Sequence, residues 1–361
     1  MKKTLLLMAA LFVAISCGEN TTQPATDTTP ESGTNPGTDP GTDPQPTTVS
    51  FAKGADISWA TEMAHKGYKF YDSKGVETEC TALMKILGCN AVRYRVWVNP
   101  SSGWCNKQDV LAKAKLAQAQ GLAIMIDFHY SDTWADPDKQ TIPAGWPTDV
   151  DNLAIKVKEH TNDVLGTLKD NGVSVTWVQV GNETNTGMLW PAGEVTNTNA
   201  GAPFAKLVNA GYAAVKAVYP DAAVIVHHSN AQDWGANKWF YDLVVKAGAQ
   251  FDMIGLSLYP SYWANGGYPD WTPYCQQAVA NFKRLYEAYT KPVMLVEFGM
   301  PVSDPAKAKA AAEYLLNGVK DWSWFKGIFY WEPESEHDRN GYDYGAFASG
   351  KSTGVMEVIC Q

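Results

Sequence analysis

Residues 174–183 read SVTWVQVGNE, and residues 292–298 read PVMLVEF. Both stretches are short apolar runs rich in Val, Leu and Trp, which is typical of buried β-strands. Each run carries a glutamate near its end, Glu183 in the first and Glu297 in the second. A carboxylate at the tip of a buried strand costs free energy unless it has a partner or a use. The two stretches therefore predict two strands whose acids belong to one site.

Six further strand-like runs occur between residues 51 and 361, and helix-like segments separate them. The eight predicted strands are Gly54–Trp59, Asn90–Val98, Leu122–His129, Ser174–Glu183, Ala222–Ser229, Phe251–Tyr259, Pro292–Phe298 and Lys326–Trp331. The predicted helices are Val76–Leu87, Gln108–Gln120, Asp151–Asn171, Phe204–Tyr219, Ala236–Ala247, Pro273–Tyr289 and Pro305–Lys320.

This alternation indicates an α/β protein, a (β/α)8 TIM barrel that forms a single catalytic domain over residues 51–361. A doubly wound sheet is the alternative fold. It would require a glycine-rich phosphate loop after the first strand. Residues 54–63 read GADISWATEM and contain no such loop.

In a barrel of this type the site lies at the C-terminal ends of the strands and in the loops that follow. The predicted strand ends share polar or aromatic side chains, namely Asp127, His129, Asn182, Glu183, His227, His228, Tyr259, Glu297 and Trp331. Any one of these could have a purely structural role. The whole set at one rim favours a functional site.

Alternation along Asn90–Val98 places Arg93 and Arg95 on the same inward face. Buried arginines are rarely left without acidic partners. The acids available at the same rim are Asp56, Asp127 and the two glutamates.

The N-terminus is predicted to be a secretory signal peptide over residues 1–16. Lys2 and Lys3 form a basic start, and residues 4–15 are almost wholly apolar. This run is too short for a membrane-spanning helix but is typical of an export signal.

The segment AISCG at residues 14–18 resembles the lipobox of bacterial lipoproteins, which predicts a lipid on Cys17. An ordinary signal with an incidental cysteine is the alternative. The stretch 33–48 repeats a Gly-Thr-Asx-Pro unit and has no large apolar residue. We therefore predict that residues 17–50 are a lipidated, disordered linker. Such a protein would be exported and held at the outer membrane or the cell surface.

Composition narrows the classes of function. The net charge is −9, and no basic stripe is present to neutralise phosphates, which argues against nucleic acid as a partner. We expect no cofactor, and we expect the protein to be a monomer. Five cysteines remain besides Cys17, an odd number whose spacing does not fit a zinc site and whose pairing stays open. They are Cys80, Cys89, Cys105, Cys275 and Cys360.

Several segments together resemble glycoside hydrolase family 53, the endo-β-1,4-galactanases, within clan A of the retaining glycoside hydrolases. They are KGADISW (53–59), VRYRVWVNP (92–100), DFHYSDTWADPDKQ (127–140), VQVGNET (178–184), LVEFG (295–299) and YWEP (330–333). The similarity covers the predicted catalytic domain nearly from end to end. The Asn-Glu and Glu-Phe-Gly motifs alone would also fit cellulases and mannanases, whereas segment 127–140 is the most specific.

The resemblance implies that Glu183 is the general acid/base and that Glu297 is the nucleophile. It also implies that Asn182 hydrogen-bonds the sugar 2-hydroxyl, and that His129 and Trp331 line the subsite of the reacting sugar. In the retaining mechanism that the resemblance implies, the two glutamates would flank the glycosidic bond.

Physical chemistry supports the division of roles between the glutamates. Glu297 must be ionised to attack, so we expect Arg93, Arg95 and Tyr259 to favour its charged form. Repulsion from Glu297 should raise the pKa of Glu183 and keep it protonated.

Further substrate contacts are expected from aromatic residues in predicted rim loops. The candidates are Trp134, Trp190, Trp263 and Trp271, each of which could instead be a packing residue, and we add Asp127 as a substrate-site candidate.

No metal site is expected. Some bacterial members of the family have a calcium site after the seventh strand, but residues 299–316, GMPVSDPAKAKAAAEYLL, lack its acidic, glycine-rich pattern. The acidic loop at 334–343 could bind a cation, although a solvated loop is the favoured interpretation.

The sequence thus predicts a membrane-tethered retaining endo-β-1,4-galactanase that acts on β-1,4-galactan and its oligosaccharides. Another clan A endo-glycanase, such as a β-mannanase, is the alternative within the class. A non-catalytic glycan-binding lipoprotein is an alternative of another class, but it should have lost a glutamate or Asn182, and all three are present.

Overall fold

The computed structural model describes residues 47, 49–262 and 269–361. The predicted signal peptide, Cys17, nearly all of the predicted linker, and Trp263 lie outside the described residues. Within the described part of the chain, no helix is both long enough and apolar enough to cross a bilayer.

Eight parallel strands form a closed barrel, as predicted, and consecutive strands are neighbours around it. They are β1 (Ala52–Asp56), β2 (Ala91–Val96), β3 (Ala123–Phe128), β4 (Trp177–Val180), β5 (Ala223–His228), β6 (Met253–Leu258), β7 (Val293–Phe298) and β8 (Phe325–Trp331). The barrel closes because β1 pairs with both β2 and β8.

Helices surround the barrel and connect its strands. They are α1 (Ala60–His65), α2 (Cys80–Ile86), α3 (Lys107–Ala119), α4 (Val150–Asp170), α5 (Ala202–Val218), α6 (Trp234–Lys246), α7 (Thr272–Tyr289), α8 (Pro305–Val319), α9 (His337–Asn340) and α10 (Val355–Ile359). Three short antiparallel hairpins lie in the loops, formed by 70–71 with 77–78, 187–188 with 193–194, and 347–348 with 351–352.

The helix predicted from Val76 begins only at Cys80. The preceding residues Glu77–Thr78 pair with an earlier strand instead. The side chain of Glu79 then accepts hydrogen bonds from the backbone N–H groups of Thr81 and Ala82, which starts the helix at that point.

Strand alternation separates two cores. Val92, Tyr94 and Val96 of β2 pack outward against the helices, on the opposite face from Arg93 and Arg95. A smaller apolar cluster fills the part of the barrel interior that is remote from the C-terminal ends of the strands. It comprises Ala52, Ala91, Ala123, Met125, Trp177, Ile225, Met253, Met294, Val296 and Phe329. Next along the strands the interior becomes polar, beginning with the inward side chain of Arg93.

A disulfide joins Cys89 to Cys360, with 4.8 Å between their Cα atoms. It ties the segment that leads into β2 to the segment that follows α10. The thiols of Cys80, Cys105 and Cys275 are buried and free.

The inner core depends on a missing side chain. A Cβ placed at Gly54 would lie 2.2 Å from the Phe329 ring, whereas a Cβ at Gly166 in α4 would meet no atom within 4 Å. We expect Gly54→Ala to lower the free energy of unfolding by roughly 1–3 kcal/mol or more, because the core is overpacked. Gly166→Ala, the matched control, should be neutral or stabilise by roughly 0.5–1 kcal/mol. Urea denaturation measures both, and equal stability of the two variants would contradict this packing.

Candidate active site

Arg93 holds three carboxylates at the mouth of the barrel. Its Nη1 donates to Asp56 at 2.5 Å, and its Nη2 donates to Asp127 at 2.9 Å and lies 2.9 Å from Oε1 of Glu297. Burial opposes the positive charge, but the carboxylates of Asp127, Glu297 and Asp56 outweigh it and raise the pKa of Arg93. Arg93 is therefore a permanent cation on β2, and it binds acids from three other strands, β1, β3 and β7.

A register shift turns Glu297 into the barrel. Met294 and Val296 of β7 face the inner core, so simple alternation would send Glu297 outward. The pairing of β6 with β7 shifts by one residue between Leu256 and Ser257, which pairs Ser257 with Glu297. Such bulges commonly re-aim a side chain beside a site.

Glu297 is buried, with 5% of its surface exposed. Its Oε2 accepts a hydrogen bond of 2.9 Å from the Tyr259 hydroxyl, and its Oε1 contacts Arg93. Burial raises the pKa of Glu297 to about 7, while Arg93 and Tyr259 act to lower it. Both contacts expected for Arg93 and Tyr259 are thus present, and they offset only part of the effect of burial.

Glu183 follows β4 at a tight turn. Its backbone has φ of 41°, a left-handed conformation that ordinary residues seldom adopt outside functional sites. The backbone of the next residue, Thr184, donates to the carbonyl of His227 at 2.8 Å, which fixes the turn against β5. The side chain of Glu183 is partly exposed.

The two glutamates differ in their counter-charges. Burial raises the pKa of Glu183 well above its ordinary value, repulsion from Glu297 raises it further, and a hydrogen bond from Ser257 lowers it. Glu297 contacts Arg93 directly, whereas Glu183 has no ion pair among the described residues. We therefore infer that Glu297 ionises first and that Glu183 keeps its proton.

Asn182 is held at both ends of its amide. Its Oδ1 accepts from Arg93 at 3.0 Å, and its Nδ2 donates to the carbonyl of Ala135 at 2.8 Å. One Nδ2 hydrogen remains for another acceptor.

His129 lies beside Asp127, with 3.0 Å between its Nε2 and the Asp127 carboxylate. Its Nδ1 accepts from the Trp97 indole at 3.2 Å and from the Ala135 backbone N–H at 3.1 Å. Two donors on Nδ1 place the proton on Nε2, which donates to Asp127. Asp127 therefore connects His129 with Arg93.

The expectation that Arg95 favours the charged form of Glu297 is wrong. Arg95 lies two residues nearer the rim than Arg93, and there it pairs with Glu332, just beyond β8. Its guanidinium carbon is 5.0, 5.2 and 4.5 Å from the ring centroids of Trp59, Trp97 and Trp134. Arg95 thus orders aromatic side chains instead of a catalytic acid.

These three indoles, with Trp331 and Tyr342, form a continuous aromatic wall. Ring centroids are 5.3 Å apart for Trp59 and Trp331, and 4.8 Å apart for Trp331 and Tyr342. Sequence reasoning selected Trp134 and Trp331 but missed the others. The signal for Trp59 was its place at the end of the first predicted strand, whereas Tyr342 lies in a loop considered only for cation binding.

The other loop tryptophans have different positions. Trp190 donates from its indole to the carbonyl of Thr186 at 3.0 Å. Trp271 packs on Tyr314, between α7 and α8, which makes it a packing residue.

Two acids of the loop 334–343, Glu336 and Asp343, have local partners. Glu336 accepts from the backbone N–H groups of Ser349 and Gly350 and pairs with Arg339. His337 lies 2.7 Å from Asp343. Within the described ranges, no group of three or more His, Cys, Asp or Glu side chains is arranged to hold a metal ion.

Three comparisons with known proteins point to a single family. The family model of glycosyl hydrolase family 53 matches residues 52–355. An arabinogalactan endo-β-1,4-galactanase of Thermothelomyces thermophilus is 33% identical over 311 residues, covering 80% of this chain and 91% of that protein.

Solved structures show the same relationship. A fungal β-1,4-galactanase superposes with a TM-score of 0.76 at 32% identity, covering 85% of this chain and 98% of that one. The family 53 catalytic domain of Ignisphaera aggregans gives a TM-score of 0.75 at 25% identity, covering 86% and 96% of the two chains.

The aromatic wall should depend on the buried pair of Arg95 and Glu332. Burial raises the pKa of Glu332 to about 6, so at pH 8 it is ionised. We expect Glu332→Gln to lower the free energy of unfolding at pH 8 by roughly 3–5 kcal/mol, because it leaves Arg95 buried without its counter-charge. Asp242→Asn removes the exposed pair with Lys238 and should cost less than about 1 kcal/mol. Urea denaturation followed by tryptophan fluorescence compares them, and equal costs would rule out this role.

Proposed function

The chain belongs to glycosyl hydrolase family 53, and from that premise we propose that it is a retaining endo-β-1,4-galactanase. Its substrate would be β-1,4-galactan, as in the side chains of pectin. The observation that carries the proposal is the unequal pair of acids, with Glu297 on Arg93 and Glu183 held protonated nearby.

The first half of the reaction forms a covalent intermediate. The Glu297 carboxylate attacks the anomeric carbon, the glycosidic bond breaks, and Glu183 gives its proton to the departing oxygen. Tyr259 and Arg93 hold the two oxygens of Glu297 for this attack.

The second half releases the sugar. Once Glu297 is an ester, its charge no longer repels the Glu183 carboxylate, so the pKa of Glu183 falls. Glu183 then removes a proton from water as the water attacks the anomeric carbon, and the bond to Glu297 breaks.

The fixed polar groups and the aromatic wall would bind the sugars. The spare Nδ2 hydrogen of Asn182 suits a sugar 2-hydroxyl, a contact that strengthens in the transition state. Trp331, Trp59 and Tyr342 offer flat apolar surfaces on which the C–H face of a galactose unit can stack.

We also propose that the enzyme is exported and tethered by a lipid. The support is the basic and apolar start over residues 1–16, the AISCG segment around Cys17, and the Gly-Thr-Asx-Pro repeats that follow.

Purified enzyme should degrade linear β-1,4-galactan to oligosaccharides of intermediate length at early times, and it should leave β-1,4-mannan intact. Glu297→Gln should abolish turnover while galactan binding persists, because only the nucleophile is lost. Glu313→Gln, on the exposed surface of α8, is the matched control and should keep full activity.

Chromatography of the products over time measures both effects. Cleavage of mannan alone would overturn the substrate assignment. Unchanged turnover by Glu297→Gln would overturn the assignment of the nucleophile.

A further inference from the structure

A chain of hydrogen bonds leads from Arg93 towards Glu183 through three buried side chains. Arg93 Nε donates to Gln179 Oε1 at 3.3 Å, Gln179 Nε2 lies 2.7 Å from His227 Nδ1, and His227 Nε2 lies 2.6 Å from Ser257 Oγ. Gln179 and His227 have no exposed surface. The double-displacement steps described above do not use any of these three side chains.

Arg93 sets the direction of this chain, because a guanidinium can only donate. The Gln179 oxygen must face Arg93, so the Gln179 amide nitrogen donates to His227 Nδ1. The backbone N–H of Glu183 points at the same Nδ1, at 3.2 Å. Asn182 Oδ1 also lies 3.1 Å from Nδ1, but the two N–H donors occupy that nitrogen. The imidazole proton therefore resides on Nε2 and is donated to Ser257.

The Ser257 hydroxyl consequently acts as an acceptor towards His227 and as a donor elsewhere. Its oxygen accepts from His227 Nε2, so its O–H is free to donate to the carboxyl of Glu183. The register shift in β7 places Ser257 level with Glu297, inside the same site.

We propose that His227 and Ser257 are positioning residues for the acid/base. Through them, Arg93 keeps a hydroxyl donor on one oxygen of Glu183 throughout the reaction. The acidic proton must then reside on the other oxygen of Glu183, where the leaving group can take it, and the carboxylate that forms retains its donor. This inference rests on the proposed function.

The direction of the chain does not change over the working pH range. Burial lowers the pKa of His227 well below its ordinary value, and the charge of Arg93 lowers it further. His227 therefore stays neutral. Glu297 and Asp136 raise the pKa of Glu183, and Arg93 and the Ser257 hydroxyl lower it. The hydroxyls of Tyr259 and Tyr262 also interact electrostatically with Glu183.

The test is the pKa of Glu183 in the free enzyme, measured by NMR titration of 13C-labelled glutamate carboxyls and assigned by the signal lost in Glu183→Gln. Ser257→Ala should raise this pKa by roughly one unit, because the anion loses a donor. Ser257→Thr keeps a hydroxyl and should restore the wild-type value. Ser131→Ala is the matched control, since the Ser131 hydroxyl is buried at the same rim without a hydrogen-bond partner in the described part of the chain.

In kinetics on galactan, the alkaline limb of kcat/KM should move to higher pH by the same amount in Ser257→Ala, because Glu183 must be protonated to act as the acid. An unchanged Glu183 pKa in folded Ser257→Ala, or an equal rise in Ser131→Ala, would overturn the inference. Failure of the wild-type enzyme to cleave galactan would overturn the proposed function instead, and the NMR titration would still decide this inference.

Discussion

The site depends on one buried cation shared by several acids. Arg93 reaches Asp56 on β1, Asp127 on β3 and Glu297 on β7. Burial raises the pKa of Glu297 to about 7, and the negative charges of Asp127 and Asp56, which share Arg93 with it, act in the same direction. The closed barrel makes this sharing possible, because it directs side chains from distant parts of the chain into one small interior.

The same cation makes the glutamates unequal. Glu297 forms an ion pair with Arg93, whereas Glu183 interacts with that charge only at longer range and accepts a hydrogen bond from the Ser257 hydroxyl. Burial raises the pKa of both glutamates. Glu297 ionises first because it alone of the two contacts Arg93. An ionised attacker and a protonated partner are what cleavage with a covalent intermediate requires. Stability and reactivity are thus linked. Arg93 neutralises buried carboxylates inside the barrel, and the same side chain lowers the pKa of Glu297.

The fold and the reacting pair could be predicted because their signals are local. Eight apolar runs separated by helical segments predict the barrel. A glutamate at the end of a predicted strand is expected to lie at the rim of that barrel, where active sites occur. The partner of Arg95 could not be predicted. Strand alternation shows that the side chain points into the barrel, but it does not show which acid the guanidinium contacts, and Glu332 is distant in the sequence. The bulge after Val296 that turns Glu297 inward, and the approach of Tyr342 to the cleft, depend equally on packing between distant segments.

The stereochemistry of cleavage reports whether Glu297 forms a bond to the sugar. Proton NMR can record the first anomer released from linear β-1,4-galactan before mutarotation. If Glu297 is the nucleophile, the β-anomer appears first and the α-anomer follows only as the solution equilibrates. Release of the α-anomer first would show direct attack by water, and it would contradict the division of roles between Glu183 and Glu297.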